Sequence, residues 1–563
     1  MHKHTEMLLK LLEKRGIIGE ENIEKFLNPD YERDIFDPFL FAHMERACVR
    51  LYEAIENNEK IIVYADYDCD GIPGAVIIHD LLQKVGYTNY EVYIPERNSE
   101  GYGLNMEAIE IFSKKDVKLI ITIDLGITAI EEVEKAKEYG MDVIITDHHL
   151  PKHTLPNAYA ILNPKVSDPA KDGASYPEQM LCGAGVMFKF VQGFVKKYGE
   201  LYKINTGWEK WLLDMAGLAT LSDMVPLLGE NRAIAYFGLK VFRKSPRPGL
   251  QKLLAKMSIE QKTISEDDIG FMVTPRLNAA SRMDSPMRAF ELLSTNDVVQ
   301  AGMLADHLTK INDERKHIVL GYMKHVKKVF ENREIREVIV VGDPSWRVGV
   351  LGLVAGKIAD EYDKTVFVWG RDENDAIKGS CRSPGKCSVV ELMTSASEHF
   401  LEYGGHELAG GFTVHSDKIH FLEDALVDIF EKMTPSALGT SLLIKGEEEY
   451  DIKLTLSDVN MKNWNEMEKM APFGLDNPKP VFLFENVKIE KIKAFGKNNS
   501  GEHLEITFSD DTKRGIIAIS FFSGLDSFSR DISEGGKVNL IATLDLSRFR
   551  GRPELRLRIV DII

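Results

Sequence analysis

Three short apolar runs in this chain each end in a cluster of acids or histidines. Ile61–Val63 leads into Asp66-Tyr67-Asp68-Cys69-Asp70-Gly71, Leu119–Ile123 into Asp124-Leu125-Gly126, and Val143–Ile145 into Thr146-Asp147-His148-His149. Runs rich in Ile and Val and bounded by glycine or polar residues predict buried parallel strands. Ligands of open α/β sheets bind beyond the carboxyl ends of such strands, so the three clusters are expected to converge. Five aspartates and two histidines in one crevice repel one another unless cations sit among them. Hard divalent ions, Mg²⁺ or Mn²⁺, suit oxygen and imidazole ligands, and paired metals hydrolyse phosphate esters. The pattern points to a metal-dependent phosphoesterase. It is not an EF-hand: Ile77 stands where such a loop needs its twelfth-position Glu, and the acids follow a strand.

The organisation around these clusters is α/β. From about Ala47 to Pro226 strands alternate with helical stretches, the pattern of a doubly wound parallel sheet. A further apolar stretch, Trp211–Leu221, carries Asp223 just past its end. Leu8, Leu9, Leu11, Leu12, Ile23 and Phe26 recur at helical spacing and make residues 1–45 a helical lead-in. No proline interrupts the chain between Pro286 and Pro344, where Val299, Met303, Leu304, Leu308, Ile311, Ile318, Val319, Met323 and Val326 predict a long amphipathic helix bridging two domains. A second α/β unit begins at Val338–Val341. The tail is β-rich (Val481–Phe484, Leu504–Phe508, Gly515–Phe522, Val538–Leu546, Leu555–Ile563), which suggests an OB-type barrel. The expected domains are therefore 1–45, 46–290, a connecting helix over 291–335, 336–432 and 445–563.

Composition sets outer bounds. The net charge of −17 neither supports nor excludes a nucleic-acid partner, because metal-ligand carboxylates are counted at full charge and a basic channel can sit on an acidic body. No apolar run approaches the roughly 18 residues that span a membrane, and Met1-His2-Lys3-His4-Thr5 carries no signal-peptide pattern. A cytoplasmic protein with no membrane partner is expected. Cys48, Cys69, Cys182, Cys381 and Cys387 lack CxxC spacing and read as free thiols. Cys69 is most simply a packing residue, although its place between acids would make oxidation there consequential.

Asp147-His148-His149 is the DHH signature, and nearly the whole chain resembles the RecJ family, single-stranded-DNA-specific exonucleases of the DHH phosphoesterase superfamily. Asp66–Gly71 fits the first motif, Asp124–Ile127 the second with Leu125 at an unusual middle position, and Gly217–Leu227 with Asp223 the fourth. Pro275–Met283 matches a run typical of the family, with Ser281 where Gly is usual, and Trp346–Ala355 fits the next. Gly379–Ser383 and Gly404–Phe412 match the associated DHHA1 domain, with Gly410 where Ala is commoner. Ala471–Gly474, Asn477-Pro478 and Pro480–Phe482 resemble the entry to the family's OB domain.

The resemblance implies a doubly wound DHH domain, a connecting helix, a DHHA1 domain and an OB-like barrel. It implies two divalent ions, Mn²⁺ or Mg²⁺, with Asp124 the bridging carboxylate and Asp66, Asp68, Asp70, His148 and Asp223 candidates for the other positions. Many relatives carry a His where Tyr64 stands here, which leaves open which two of Asp66, Asp68 and Asp70 are direct ligands. Asp147 is either a ligand or an orienting partner of a histidine, and His149 is expected at the scissile phosphate. Arg97, Arg276, Ser380, Arg382 and His406 are candidates for phosphate contacts. Trp346 reads equally as a base-stacking or a packing residue. In the tail, Phe508, Phe521, Phe522, Phe549 and the basic end (Arg548, Arg550, Arg552, Arg556, Arg558) are candidate strand contacts. The implied activity is 5′→3′ hydrolysis of single-stranded DNA to mononucleotides, in repair and recombination, alongside a single-strand-binding protein and a helicase. Two alternatives remain: a DHH hydrolase of oligoribonucleotides or cyclic dinucleotides, which generally lacks the tail, and an inactive replication scaffold, which predicts lost ligands.

Overall fold

The computed structural model describes residues 4–97, 99–167, 173–433, 450–496, 503–510, 515–521, 524–547 and 553–563. The chain forms two compact units: residues 37–223 with 238–443, and residues 4–36 with 224–237 and the tail from 450 onward.

The larger unit holds two sheets. The first is all parallel, in the order β2 (Tyr90–Tyr93), β1 (Lys60–Ala65), β3 (Val117–Ile123), β4 (Asp142–Thr146), β5 (Ala160–Leu162). Its central strands are buried on both faces, which is why they read as continuous Ile/Val runs without alternation. The chain leaves β1 for β2 on one side and β3 lies on the other, so the switch point of the sheet falls between the carboxyl ends of β1 and β3. Helices α1 (Gly71–Lys84), α2 (Gly183–Tyr198) and α3 (Leu213–Ser222) pack on one another beside it. The run Pro275–Met283 lies on helix α4 (Thr274–Met283), with Pro275 in the first turn, where no intrahelical N–H is needed.

The bridging helix is α5, Val298–Phe330, 33 residues long. Its apolar stripe differs from the expected one. Val299 and Met303 are exposed, because the first turns bury Ala301, Leu304 and Ala305 instead. Beyond it, β6 (Val338–Gly342), α6 (Leu351–Tyr362), β7 (Thr365–Arg371), β8 (Ile377–Arg382), β9 (Phe400–His406) and β10 (Ala409–Val414) build a mixed sheet in the order β6-β7-β8-β10-β9.

In the smaller unit, β12 (Phe482–Phe495), β13 (His503–Ser509), β14 (Gly515–Phe521), β16 (Glu554–Ile562) and β15 (Lys537–Ser547) pair in that order, and β15 pairs back to β12. That closes a barrel, with the short β11 (Ile452–Lys453) added beside β12. The barrel core also takes in Met7, Leu8, Leu11 and Leu12 of the helix Glu6–Lys14 and Leu27 of Glu20–Leu27. The start of the chain therefore shares a core with its end. Among the described residues no helix is long and apolar enough to cross a membrane, and all five cysteines are buried and unpaired.

Candidate active site and metal centre

Four elements bring the acids together. Asp124 ends β3 in a left-handed backbone conformation, φ 62°, one of the few that Asp tolerates, with its N–H donating to the Thr146 carbonyl at 2.9 Å. Gly183 opens α2 directly against it: a Cβ there would lie 2.5 Å from the Asp124 Cβ. Asp70 stands at the mouth of α1, and its two carboxylate oxygens accept from the N–H groups of Gly183 and Ala184, both at 2.6 Å. Asp68 accepts from the N–H of Asp70 and of Gly71. Asp223 caps the end of α3.

Three groups of donor atoms each lie within 4.8 Å of one another: Asp66, Asp68 and Asp124; Asp124, His148 and His149; and Asp70, His148 and Asp223. Asp124 and His148 each belong to two of them. His148 Nε2 lies 3.1 Å from Asp124 Oδ1 and 3.8 Å from both Asp70 Oδ2 and Asp223 Oδ2. Two ligands at right angles around an ion, each about 2.1 Å from it, stand about 3 Å apart. Asp66 Oδ1 and Asp124 Oδ1 are buried with no hydrogen-bond partner.

The electrostatics agree. Burial and then the charge of neighbouring aspartates hold Asp66 and Asp124 well above the usual carboxylate range. The same causes push Asp70 up to about 7 and Asp223 up to about 9. Burial, reinforced by His149, pushes His148 down to about 3, so its imidazole is neutral and free to ligate. Mutually repelling carboxylates, orphaned buried oxygens and a neutral imidazole are a donor set that divalent cations satisfy.

Asp147 takes the orienting position. Its Oδ1 accepts from the N–H groups of His148 and His149 and lies 2.8 Å from His149 Nδ1, while Oδ2 accepts from the Ile127 N–H. Burial works against a charged His149, but the Asp147 hydrogen bond and charge outweigh it and raise the imidazole. His406, from β9 of the second sheet, lies parallel to His149 with ring centroids 6.2 Å apart. Both α/β domains therefore reach the centre.

A cationic group lies between these domains. Arg97 covers the Tyr67 ring at 4.9 Å, Arg282 donates to the Gly349 carbonyl at 3.3 Å, and Arg382 donates to Ser380 Oγ at 3.2 Å. A Cβ on Gly352, in the first turn of α6, would come within 3.1 Å of both Arg382 Nη2 and Ser380 Oγ. Arg276 is buried and donates to the Met272 carbonyl. Trp346 does not stack a base: it is 3% exposed and lies flat on Tyr322, centroids 4.6 Å apart, so packing against α5 has claimed both its area and its face. In the barrel, Phe508 points into the core and is fully buried, Phe521 and Arg558 face outward, and Phe522, Phe549, Arg548, Arg550 and Arg552 lie outside the described residues.

Comparison with known proteins bears on this geometry. Residues 60–220 match the DHH family, N-terminal domain, residues 336–432 the DHHA1 domain, and residues 450–561 the RecJ OB domain. The single-stranded-DNA-specific exonuclease RecJ of Bacillus subtilis (strain 168) is 33% identical over 559 residues, 99% of this chain and 68% of that protein. This chain belongs to the RecJ family. The RecJ of Haemophilus influenzae is 30% identical and is covered over 96% of its length. The crystal structure of RecJ from Thermus thermophilus in complex with Mn²⁺ has the same fold, with a TM-score of 0.77 at 24% identity, covering 99% of this chain and 77% of that one.

Four residues around this RecJ-family centre escaped sequence reasoning. The Tyr102 hydroxyl donates to the Asp124 carbonyl at 3.1 Å and stands 3.3 Å from His149 Nδ1. Lys165 donates to the His148 carbonyl and is held low by burial. Arg282 and Gly352 complete the arginine group. Arg282 and Gly352 lie inside motifs that pointed to the site, whereas nothing in the sequence around Tyr102 or Lys165 marks them.

Proposed function

We propose that this chain is a metal-dependent exonuclease that degrades single-stranded DNA from its 5′ end and releases 5′-mononucleotides. The observation that carries the reading is the juxtaposition of an acid–histidine centre with a separate arginine group, both lined by two domains. One set suits cations and the other a phosphate.

Asp66, Asp68 and Asp124 would hold one ion and Asp70, His148, Asp223 and the shared Asp124 a second. When bound, Mn²⁺ or Mg²⁺ supplies positive charge to the attacking and leaving oxygens of an in-line displacement at phosphorus. Asp147 fixes the His149 imidazole by Nδ1 and favours its charged form, which leaves Nε2 to donate to an oxygen of the scissile phosphate. The Tyr102 hydroxyl, 3.3 Å from Nδ1 and 3.4 Å from Nε2, steadies that ring. Ser380, Arg382 and the N-terminal turn of α6 would hold the terminal 5′ phosphate. The absent Cβ of Gly352 gives the anion access to the helix N-terminus and to the arginine fork. Arg97 and Arg282 add charge, and His406 closes the site from the second domain.

The barrel would contribute grip. Phe495, His503 and Phe521 stand opposite one another across three strands, with ring centroids 5.2 and 5.5 Å apart, and Arg556 and Arg558 lie over Phe521 at 5.9 and 5.8 Å. Aromatic rings among cations suit stacked bases between phosphates. The domain division at 1–45, 46–290, 291–335, 336–432 and 445–563 belongs to the same reading, as do a cytoplasmic setting, roles in repair and recombination, and a helicase and a single-strand-binding protein working on the same strand.

The test uses the full chain with Mn²⁺ and strands labelled at either end, single-stranded or duplex, beside a cyclic dinucleotide. Release of 5′-labelled mononucleotide from single strands first, with duplex spared, is expected. Preferential cleavage of the cyclic dinucleotide, or no hydrolysis by metal-loaded protein, overturns the reading in favour of the two alternatives respectively.

A further inference from the structure

Along α5 the side chains turned to the body of the unit are Ala301, Leu304, Ala305, Leu308 and Ile311, then Asn312, then Val319, Met323 and Val326. The first group lies where α5 packs on α4 and its neighbours. The last three belong to the core of the second sheet. Between the two cores one turn of the stripe is polar, carrying Asn312 and, three residues on, Arg315.

Asn312 is fully buried, and neither its amide nitrogen nor its amide oxygen has a partner. Nε of Arg315, Nε of Arg276 and Oδ1 of Asn278 are likewise buried and unpartnered. Arg276 and Asn278 lie on α4, which packs directly against α5. Buried polar side chains are almost always hydrogen-bonded, so the orphaned atoms of Asn312, Arg315 and Arg276 point to a partner from outside the chain. Each of these three side chains carries an orphaned N–H donor, which makes that partner an acceptor. The charges give its sign. Burial and Arg276 hold the Arg315 guanidinium low, and Arg282 is pushed down to about 9 by burial and by Arg97, Arg315 and Arg382. The carboxylate opposing Arg276 is that of Asp313, which is exposed.

We propose that Asn312, Arg315 and Arg276 form a second phosphate site, which takes an internal phosphodiester of the bound strand. This rests on the reading of the chain as a strand exonuclease. The Asn312 amide and the two guanidinium forks donate to the phosphate oxygens, and Arg282 links this site to the one holding the terminal phosphate. α5 then does more than join two domains: it fixes the register of the strand behind the scissile bond. A dinucleotide has no phosphodiester beyond the scissile one, so only longer strands engage the site.

The test compares a 5′-phosphorylated dinucleotide with a strand of about ten nucleotides, using the full chain in Mn²⁺. In R315A the preference for the longer strand, as the ratio of kcat/KM values, should fall ten- to a hundredfold, the worth of a charged hydrogen bond. The loss should appear in KM, and the salt slope of strand binding should flatten by about one. N312L replaces an unpartnered buried amide with an apolar side chain of similar size. It should raise the thermal midpoint while raising KM for the longer strand, whereas a packing role predicts a lower midpoint and an unchanged KM. An unchanged length preference in both variants overturns the inference. Stabilisation of the wild type by inorganic phosphate that R315A abolishes, with length preference intact, would make this a free-anion site and overturn the strand assignment. A wild-type protein that cuts no strand refutes the exonuclease reading itself.

Discussion

Removing the metals should make this protein progressively less stable as pH rises. In the chelated protein, burial and mutual repulsion hold Asp70 up to about 7 and Asp223 up to about 9. In the unfolded chain both titrate near 3.9. Between those values the folded state keeps protons that the unfolded state releases, so each group removes stability as pH rises, by about 1.4 kcal/mol per pH unit. The penalty is absent below about pH 4, stops growing near pH 7 for Asp70 and continues to about 9 for Asp223. Asp223 keeps 27% of its side chain exposed, so solvent takes part of its share. With the Asp223 share halved on that account, the chelated protein should lose about 3–4 kcal/mol between pH 5.5 and 7.5. Bound cations hold the same carboxylates ionised in the folded state and cancel the loss. Denaturant unfolding in chelator and in saturating Mn²⁺, at pH steps from 5.5 to 7.5, measures the difference directly, and titrating groups outside the centre drop out of it. The metal-dependent gain should widen with pH, and in D223N the chelated curve should flatten. A gain that stays constant across the range would refute the assignment of these acids to one buried, mutually repelling centre.

Asp124 belongs to two of the three donor groups, so D124A should abolish hydrolysis, and more than a few per cent of activity in a folded, Mn²⁺-saturated variant would remove it from the bridging position. His149 is tied to Asp147, so H149A should lower turnover while metal analysis shows both ions retained; loss of one ion would make it a ligand. R382A should erase the preference for 5′-phosphorylated over 5′-hydroxyl strands, roughly ten- to a hundredfold. G352A, which places a methyl in the same seat, should do likewise without loss of secondary structure by circular dichroism; an unchanged ratio in both would move the terminal phosphate elsewhere. In the barrel, F521A should weaken binding of long strands by about 1–3 kcal/mol, read by fluorescence anisotropy, and unaltered affinity would sink the barrel-grip assignment. Point substitution is the sound perturbation there, because truncating the tail would strip the partners from Leu8, Leu11 and Leu12.

The centre was legible in the sequence because its parts are local. A strand buried on both faces is an Ile/Val run, its carboxyl end is the next residue, and Asp66–Asp70, Asp124 and Asp147–His149 therefore announce both element and chemistry. The long proline-free helix and the β-rich tail were visible for the same reason, since periodicity is a property of neighbours in the chain. What depends on separation was not. Trp346 could stack or pack, and Tyr322, 24 positions earlier on α5, decided for packing. Tyr102 and Lys165 sit in loops whose residues reveal nothing until folding carries them to the histidines. The first helix has an apolar face that any core would accept, and only the closed barrel, which leaves room for Leu8, Leu11 and Leu12, chose the far end of the chain. Asn312 is the sharpest case. As a polar residue on a long helix it reads as solvent-facing, and it is buried because two cores close on either side of it. Sequence thus set which elements form and which acids end them, through forces acting over a few residues. Tertiary structure decided which side chains share a site, because hydrophobic burial is non-directional and any apolar face satisfies it until the whole chain has packed.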